Sequence, residues 1–240
     1  MARFFHVAFG AVAYVFFFLT FLYLVAFVGD APFAPQTVDR GPDAGLFAAI
    51  AIDLALIAMF GLQHSVMARK GFKEGWTRIV PPALERSVYV LVASAMLWIL
   101  YHFWRPIPIL LWSVETPWLA TLLWALFAIG WAVVLLSTFL LSHFELFGLK
   151  QVWRSGEDIV PQFRQPGFYR FVRHPLYSGF LLAFWAIPVM TAGHALFAAG
   201  MTIYVLIAIV YEERDLVRLF GDEYRNYRTR VGMLLPRFGR

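Results

Sequence analysis

The chain has 240 residues, of which 61% are apolar and 15% charged, and its formal net charge is +5. A soluble domain is about 45–50% apolar, so composition argues against a soluble protein with one large core and for a protein built into a membrane. Cysteine is absent, which excludes disulfides, thiolate metal ligands and a cysteine nucleophile.

Six apolar runs follow one another at about 4–28, 45–67, 86–104, 118–142, 176–190 and 195–211, separated by polar or proline-containing breaks. The first holds no Lys, Arg, Asp or Glu over more than the ~20 residues a spanning helix needs. It also exceeds the about 7–15 apolar residues of a secretory signal, so it reads as a span rather than a cleaved leader. The loop from Gly29 to Gly45 is rich in Pro, Asp and Gly and suggests no chemistry. The fifth run is short and is expected to tilt little or to cross incompletely. It forms a tight hairpin with the sixth across Met190-Thr191-Ala192-Gly193-His194. From Glu212 to Arg240 the chain is charged but keeps Leu216, Val217, Leu219, Phe220, Tyr224 and Tyr227. That pattern reads as a helix leaving the membrane and a tail folded back on the protein; an amphipathic helix on the lipid surface is the alternative.

The cations give the orientation. With the amino terminus inside, the inner segments hold eighteen of the twenty Lys and Arg: Arg3; Arg69, Lys70, Lys73, Arg78 and Arg86; Lys150, Arg154, Arg164, Arg170 and Arg173; and the seven arginines from Arg214 to Arg240. Only Arg40 and Arg105 fall outside. Lys and Arg are retained on the cytoplasmic side, so both termini are expected there. The positive charge suits anionic lipid and requires no nucleic acid. The fold class expected is all-α: a polytopic membrane bundle of about six transmembrane helices with a cytoplasmic carboxy-terminal tail, in one integral-membrane domain, 1–240.

An ionisable group inside a membrane segment is costly and therefore informative. Asp53, Ile57, Phe60 and His64 recur at spacings of 4, 3 and 4, which puts them on one helical face. Asp53 lies at mid-depth, with Gln63 and His64 near the inner end. Eleven residues separate Asp53 from His64, about 16 Å along the axis, so they form no direct dyad. Asp53 suits a structural hydrogen bond to a neighbouring helix as well as a functional role, and Gln63 and His64 suit an ordinary polar boundary as well as a site. The fourth run ends at His143 and Glu145, followed by Lys150 and Gln151, where capping is the plain alternative. Arg173-His174-Pro175 opens the fifth, with proline in a first-turn position that needs no N–H. A hairpin of antiparallel helices brings Arg173 and His174 to Glu212 and Glu213, as a site or as an internal ion pair. Three pairs of segments thus deliver polar groups to the cytoplasmic third. No Walker loop, H-E-x-x-H or G-x-S-x-G occurs. Histidines 64, 143, 174 and 194 are too scattered to name a metal site, and His194 is expected on the outer side.

Arg173-His174-Pro175 with Tyr177 and Gly179, then Glu212-Glu213 about 35 residues later, resembles the carboxy-terminal signature of the integral-membrane methyltransferases. That group includes the isoprenylcysteine carboxyl methyltransferases and the phospholipid methyltransferases. The likeness continues through Phe220-Gly221, Tyr224, Tyr227, Val231 and Pro236 and covers 168–236. Gln63-His64-Ser65-Val66-Met67-Ala68-Arg69, Pro81-Pro82-Ala83-Leu84-Glu85-Arg86 and His143-Phe144-Glu145-Leu146-Phe147-Gly148-Leu149 are similar to the bacterial methanethiol S-methyltransferases, which make dimethyl sulfide from methanethiol.

The resemblance implies S-adenosylmethionine at the cytoplasmic end of the last two helices, capped by the tail. About 1–167 then form the substrate-side helices and inner loops, and about 168–240 the cofactor-binding hairpin and tail. His174, Leu176 and Tyr177 are expected on the cofactor, with Glu213 and Glu212 holding its polar end. Arg173 either pairs with its carboxylate or locks the glutamates, and Tyr224, Tyr227 and Arg230 are expected tail contacts. A thiol is a poor nucleophile until deprotonated, with an ordinary pKa near ~8.5. His64 is the first candidate base, oriented by Gln63 or Glu145; His143 is the second. Phe60, Met59 and Phe144 are expected to wall the pocket. The expected partners are a small thiol and the lipid bilayer, with no obligate protein partner, in a bacterial cytoplasmic membrane. Methylation of a lipid or isoprenylcysteine carboxylate is the enzymatic rival. A transporter or assembly factor, which would make most use of Asp53, is the non-enzymatic one.

Overall fold

The computed structural model describes residues 2–153 and 163–237. Arg154 and Arg240, counted above among the inner cations, lie outside them. Among the described residues five helices are long and apolar enough to cross a membrane: α1 (Ala2–Val28), α2 (Leu46–Ala68), α4 (Pro82–Phe103), α5 (Pro117–Leu141) and α9 (Ala192–Phe220). Lipid offers no partner for backbone N–H and C=O, so apolar segments must bond within themselves, and helices result. Proline sits in the first turn of α4 and α5, where its missing N–H costs nothing. Between the long helices lie α3 (Lys70–Trp76), strand β1 (Leu110–Ser113), α6 (His143–Leu146), α7 (Leu149–Trp153) and α8 (Pro175–Trp185). Strand β2 (Val189–Thr191) precedes α9, and α10 (Asp222–Arg230) follows it.

The fifth apolar run differs from the others. Read from sequence it extends over 176–190, but α8 has 11 residues, about 16 Å of helix against a hydrocarbon core of about 30 Å. Pro188 is the cause: it has no N–H, its ring clashes with the carbonyl four residues back, and it disfavours helix in the residue before it. The chain leaves the helix at Trp185, turns through Ala186 and Ile187 and becomes extended at Val189. Val114 N–H donates to Pro188 O at 2.9 Å, and the Trp112 indole to Ile187 O at 3.4 Å.

By its contacts the chain divides into two compact units. The first comprises the described parts of Met1–Leu111, His143–Asp158 and Thr191–Phe197. There α4 packs between α1 and α2, and α7 lies against α1. Phe27 and Tyr101 rings (5.0 Å) and Trp104 and Phe197 rings (5.7 Å) fill one end, and the Trp104 indole donates to Val38 O at 3.0 Å. Asp53 belongs to this end: its Oδ1 accepts the backbone N–H of Arg105 at 2.9 Å, a structural bond to the residue two past α4. At the other end Met67, Tyr89 and Val90 form a core with Phe17, Phe72, Val92 and Phe147 around it. Gly148, at φ +87°, turns the chain from α6 into α7 so close to α4 that a Cβ there would lie 2.8 Å from Ser87 N.

The second unit comprises the described parts of Trp112–Ser142, Ile159–Met190 and Ala198–Arg240. Its helices α5 and α8 cross on a pair of glycines. A Cβ on Gly130 would lie 2.7 Å from Gly179 O, and one on Gly179 would lie 2.7 Å from Gly130 O. Small residues let helix backbones approach closely where the apolar solvent gives no drive to associate. Gly221, at φ +55°, turns the chain from α9 into α10. Tyr224, Tyr227 and Val231 then pack with Phe163, Leu216, Val217 and Phe220. Beyond α10 the tail runs alongside the start of α8: Arg173 N–H donates to Gly232 O at 2.8 Å and His174 N–H to Met233 O at 3.1 Å.

Candidate functional site

In the second unit the polar groups converge on one carboxylate. Arg173 and His174 precede the Pro175 first turn of α8 and are held by the backbone pairing with the tail. Glu213, on α9, is 6% exposed. Its Oε1 accepts Arg173 Nε at 2.7 Å and His174 Nε2 at 3.1 Å, while Oε2 meets Arg228 Nε at 3.0 Å. A carboxylate this buried is tolerable because charged and hydrogen-bonding partners surround it. Its neighbour Glu212 faces out, with a half-exposed side chain that accepts the Tyr177 hydroxyl at 3.0 Å and lies 3.9 Å from His174 Nδ1.

Arg173 also donates from Nη1 to Val231 O at 2.5 Å and to Arg228 O at 3.2 Å. Of its two expected roles, these bonds are those of the lock: one guanidinium ties α8, α9 and the tail together. Leu176 is half-buried in the first turn of α8. Tyr227 donates its hydroxyl to Tyr169 O. Burial, opposed by Arg173 and reinforced by Glu213, pushes the Tyr227 hydroxyl up to about 12. Burial likewise raises Tyr224, with Glu213 adding to it. Burial also raises Tyr169, where Glu212 is the next cause. The Tyr224 hydroxyl has no hydrogen-bond partner among the described residues although the residue is 2% exposed.

Arg230 stands apart from the Glu213 cluster. It is exposed, and its Nε donates to Asn226 O at 3.3 Å; Arg228 is the arginine that reaches Glu213. The reason is helical phase. Residues 224, 227, 228 and 231 recur at i, i+3, i+4 and i+7 on one side of α10, and residue 230 falls between them.

The first unit holds the other candidates. Asp53, Ile57 and Phe60 are buried on one face of α2, as their spacing predicts, and Phe60 stacks on His64 at 5.3 Å. Tyr89 of α4 supplies a polar contact on the His64 ring, its hydroxyl 2.7 Å from Nε2. His143, 4% exposed, meets the Tyr14 hydroxyl through Nε2 at 2.8 Å. Burial holds the His143 ring below the usual imidazole range. Of the groups expected to orient His64, Gln63 donates to Met67 Sδ at 3.0 Å, and Glu145 pairs with Lys150 at 2.7 Å. The Phe147 ring lies 4.9 Å from His143 and 3.9 Å from Phe17, and both phenylalanines pack against the core of Met67, Tyr89 and Val90. Of the expected walls, Phe60 is buried and Met59 half-buried, while Phe144 is exposed but edge-on to His143 at 5.4 Å. Among the described residues no group of His, Cys, Asp and Glu is placed to hold a metal ion.

Residues 118–223, from α5 into α10, match the phospholipid methyltransferase family. An integral-membrane helical protein carrying Arg173, His174 and Glu213 within that match is a membrane methyltransferase. The chain is 51% identical over 239 residues to the methanethiol S-methyltransferase of Mycobacterium tuberculosis, covering 98% of each. It is 52% identical over 231 residues to methanethiol S-methyltransferase 1 of Bradyrhizobium diazoefficiens, covering 95% of this chain and 81% of that one. The chain belongs to the methanethiol S-methyltransferase family. A more distant similarity, 29% over 188 residues, links 71% of it to 66% of Nurim from Danio rerio. No solved structure matches.

Proposed function

We propose that the protein transfers a methyl group from S-adenosylmethionine to methanethiol and releases dimethyl sulfide. Similarity over nearly its whole length to proteins named methanethiol S-methyltransferase supports the acceptor. The Glu213 cluster supports the donor, and it is the observation that carries the reading. S-adenosylmethionine presents an ammonium, a carboxylate, two ribose hydroxyls and a base. The cluster offers groups for the ammonium, the hydroxyls and the carboxylate: the half-exposed carboxylate of Glu212, the Tyr177 hydroxyl, the half-exposed guanidinium of Arg228 and the buried hydroxyl of Tyr224, unpaired among the described residues. Glu212, Tyr177 and Tyr224 would hold the ammonium and hydroxyls, and Arg228 the carboxylate. Arg173, His174, Glu213 and Tyr227 keep the frame, with Leu176 as apolar lining.

When bound, that group supplies an electron-poor methyl on a sulfonium, whose bond to sulfur breaks as the bond to the acceptor sulfur forms. The residues of the chain then have three tasks: to position, to exclude water and to move one proton. An alkanethiol titrates above ~8.5, so a base is useful at neutral pH. His64 is that base, and His143 the second candidate. Phe60 and Phe147 keep both rings in apolar surroundings. Methanethiol and its thioether are small and neutral enough to pass through lipid, which suits a membrane enzyme. The excess of inner cations supports a bacterial cytoplasmic membrane with both termini on the cytoplasmic side.

Purified protein in detergent, given S-adenosylmethionine and methanethiol, is expected to release dimethyl sulfide into the headspace. Release of methylated lipid or carboxylate ester in its place would reassign the acceptor. No product from any acceptor would remove the reading.

A further inference from the structure

Two tyrosine hydroxyls of the first unit meet histidine rings, and one of them has a second acceptor within reach. The Tyr89 hydroxyl lies 2.7 Å from His64 Nε2 and 3.4 Å from the His64 main-chain oxygen. A hydroxyl has one proton to give and two lone pairs. If the proton goes to Nε2, only that contact is satisfied. If it goes to the carbonyl, the hydroxyl oxygen accepts an Nε2–H, and both contacts are satisfied together. That arrangement puts the proton of the neutral imidazole on Nε2 and its lone pair on Nδ1.

We propose that Tyr89 is a positioning residue for the methyl transfer: its hydroxyl holds the His64 ring by Nε2, so that Nδ1 is the atom that takes the thiol proton. The inference rests on the thiol-methylating reading above. In the step, the S–H bond breaks as Nδ1–H forms, the electron pair stays on sulfur, and the ring becomes an imidazolium with a proton on each nitrogen. Tyr89 then accepts from a charged donor, and such bonds are roughly twice as strong as neutral ones. The support therefore grows as the proton arrives. Both rings are held in place for this role. Phe60 stacks on His64 at 5.3 Å, and the Arg86 guanidinium lies 5.7 Å from the Tyr89 ring centre.

The test compares Tyr89→Phe with Tyr23→Phe, a control that removes a hydroxyl bonded to Gln36 O at 2.9 Å in the same unit. The readouts are kcat, the donor KM and the ring 15N signals of His64, assigned through His64→Gln. Tyr89→Phe is expected to lower kcat by about 10- to 100-fold, the worth of a hydrogen bond to a charged group. The donor KM should stay within about twofold, the His64 15N signals should move, and Tyr23→Phe should change none of the three. Unchanged kcat or unchanged 15N signals in Tyr89→Phe would overturn the role. Loss of donor binding together with turnover would mark Tyr89 as structural and overturn it too. The native 15N spectrum tests the same point without any variant, because a His64 ring protonated on Nδ1 contradicts the proposal. Absence of thioether from the native protein would instead count against the reaction itself.

Discussion

Arg173 and Glu213 stand forty residues apart in the chain and meet with Nε and Oε1 2.7 Å from each other, both side chains about nine-tenths buried. An arginine before α8 and a glutamate in α9 thus form the centre to which His174, Arg228 and the tail attach. Breaking a buried pair leaves the other charge without compensation, at a cost of about 3–5 kcal/mol. Glu213→Gln keeps the shape and removes the charge, so it is expected to destabilise the protein by roughly 3 kcal/mol. Glu212→Gln, at a half-exposed side chain, should cost under about 0.5 kcal/mol. Thermal unfolding of the two variants in detergent checks the contrast.

Arg228 and Arg230 make a sharper comparison, because only the first contacts Glu213. Arg228 is half-exposed, so its ion pair is worth about 1 kcal/mol or less. Arg228→Ala should weaken donor binding several-fold and Arg230→Ala should leave it unchanged. Equilibrium binding of the methyl donor to each variant decides it.

The glycine crossing of α5 and α8 is expected to be intolerant. Gly130→Ala places a methyl carbon 2.7 Å from backbone atoms of Gly179 and Ala183, and backbone can yield only if the helices separate. Overpacking of this kind costs typically about 1–3 kcal/mol. The unfolding midpoint of Gly130→Ala should fall clearly. That of Gly45→Ala, where a Cβ meets nothing within 4 Å, should hardly change.

His143 gives a pH dependence with a definite sign. Burial lowers its folded-state pKa below the unfolded value of about 6.5. Between those two values the unfolded chain binds more protons, so stability rises with pH across that interval. The contribution of the neutral ring is complete above about pH 6.5 and is lost as pH falls through the folded-state value. Unfolding midpoints measured from neutral to mildly acidic pH should decline for the native protein, and His143→Phe should flatten part of the decline.

The parts of this architecture that were legible in the sequence follow from local rules. Five long apolar runs must be helices in lipid, and the short turn that joins the brief fifth of the six apolar runs to the sixth brings Arg173 and His174 to Glu212 and Glu213. The missed features depend on phase or on partners distant in sequence. The short fifth run is expected to tilt little or to cross incompletely; what its composition does not show is that Pro188 ends the helix after 11 residues by its clash with the preceding turn. The place of Arg228 beside Glu213 follows from the helical spacing it shares with Tyr224, Tyr227 and Val231. Tyr89 and Tyr14 could not be assigned to His64 and His143, since each pairing depends on how α1, α2 and α4 pack and on the turn at Gly148.

The central claim is that the cluster around Glu213 holds the methyl donor while His64 serves the thiol. Calorimetric titration of S-adenosylmethionine into native protein, Glu213→Gln and His64→Gln, below the unfolding temperature of each, tests it most directly. The account predicts that Glu213→Gln loses donor binding, and that His64→Gln binds the donor as the native protein does yet turns over slowly. Native-like donor affinity in folded Glu213→Gln would contradict it.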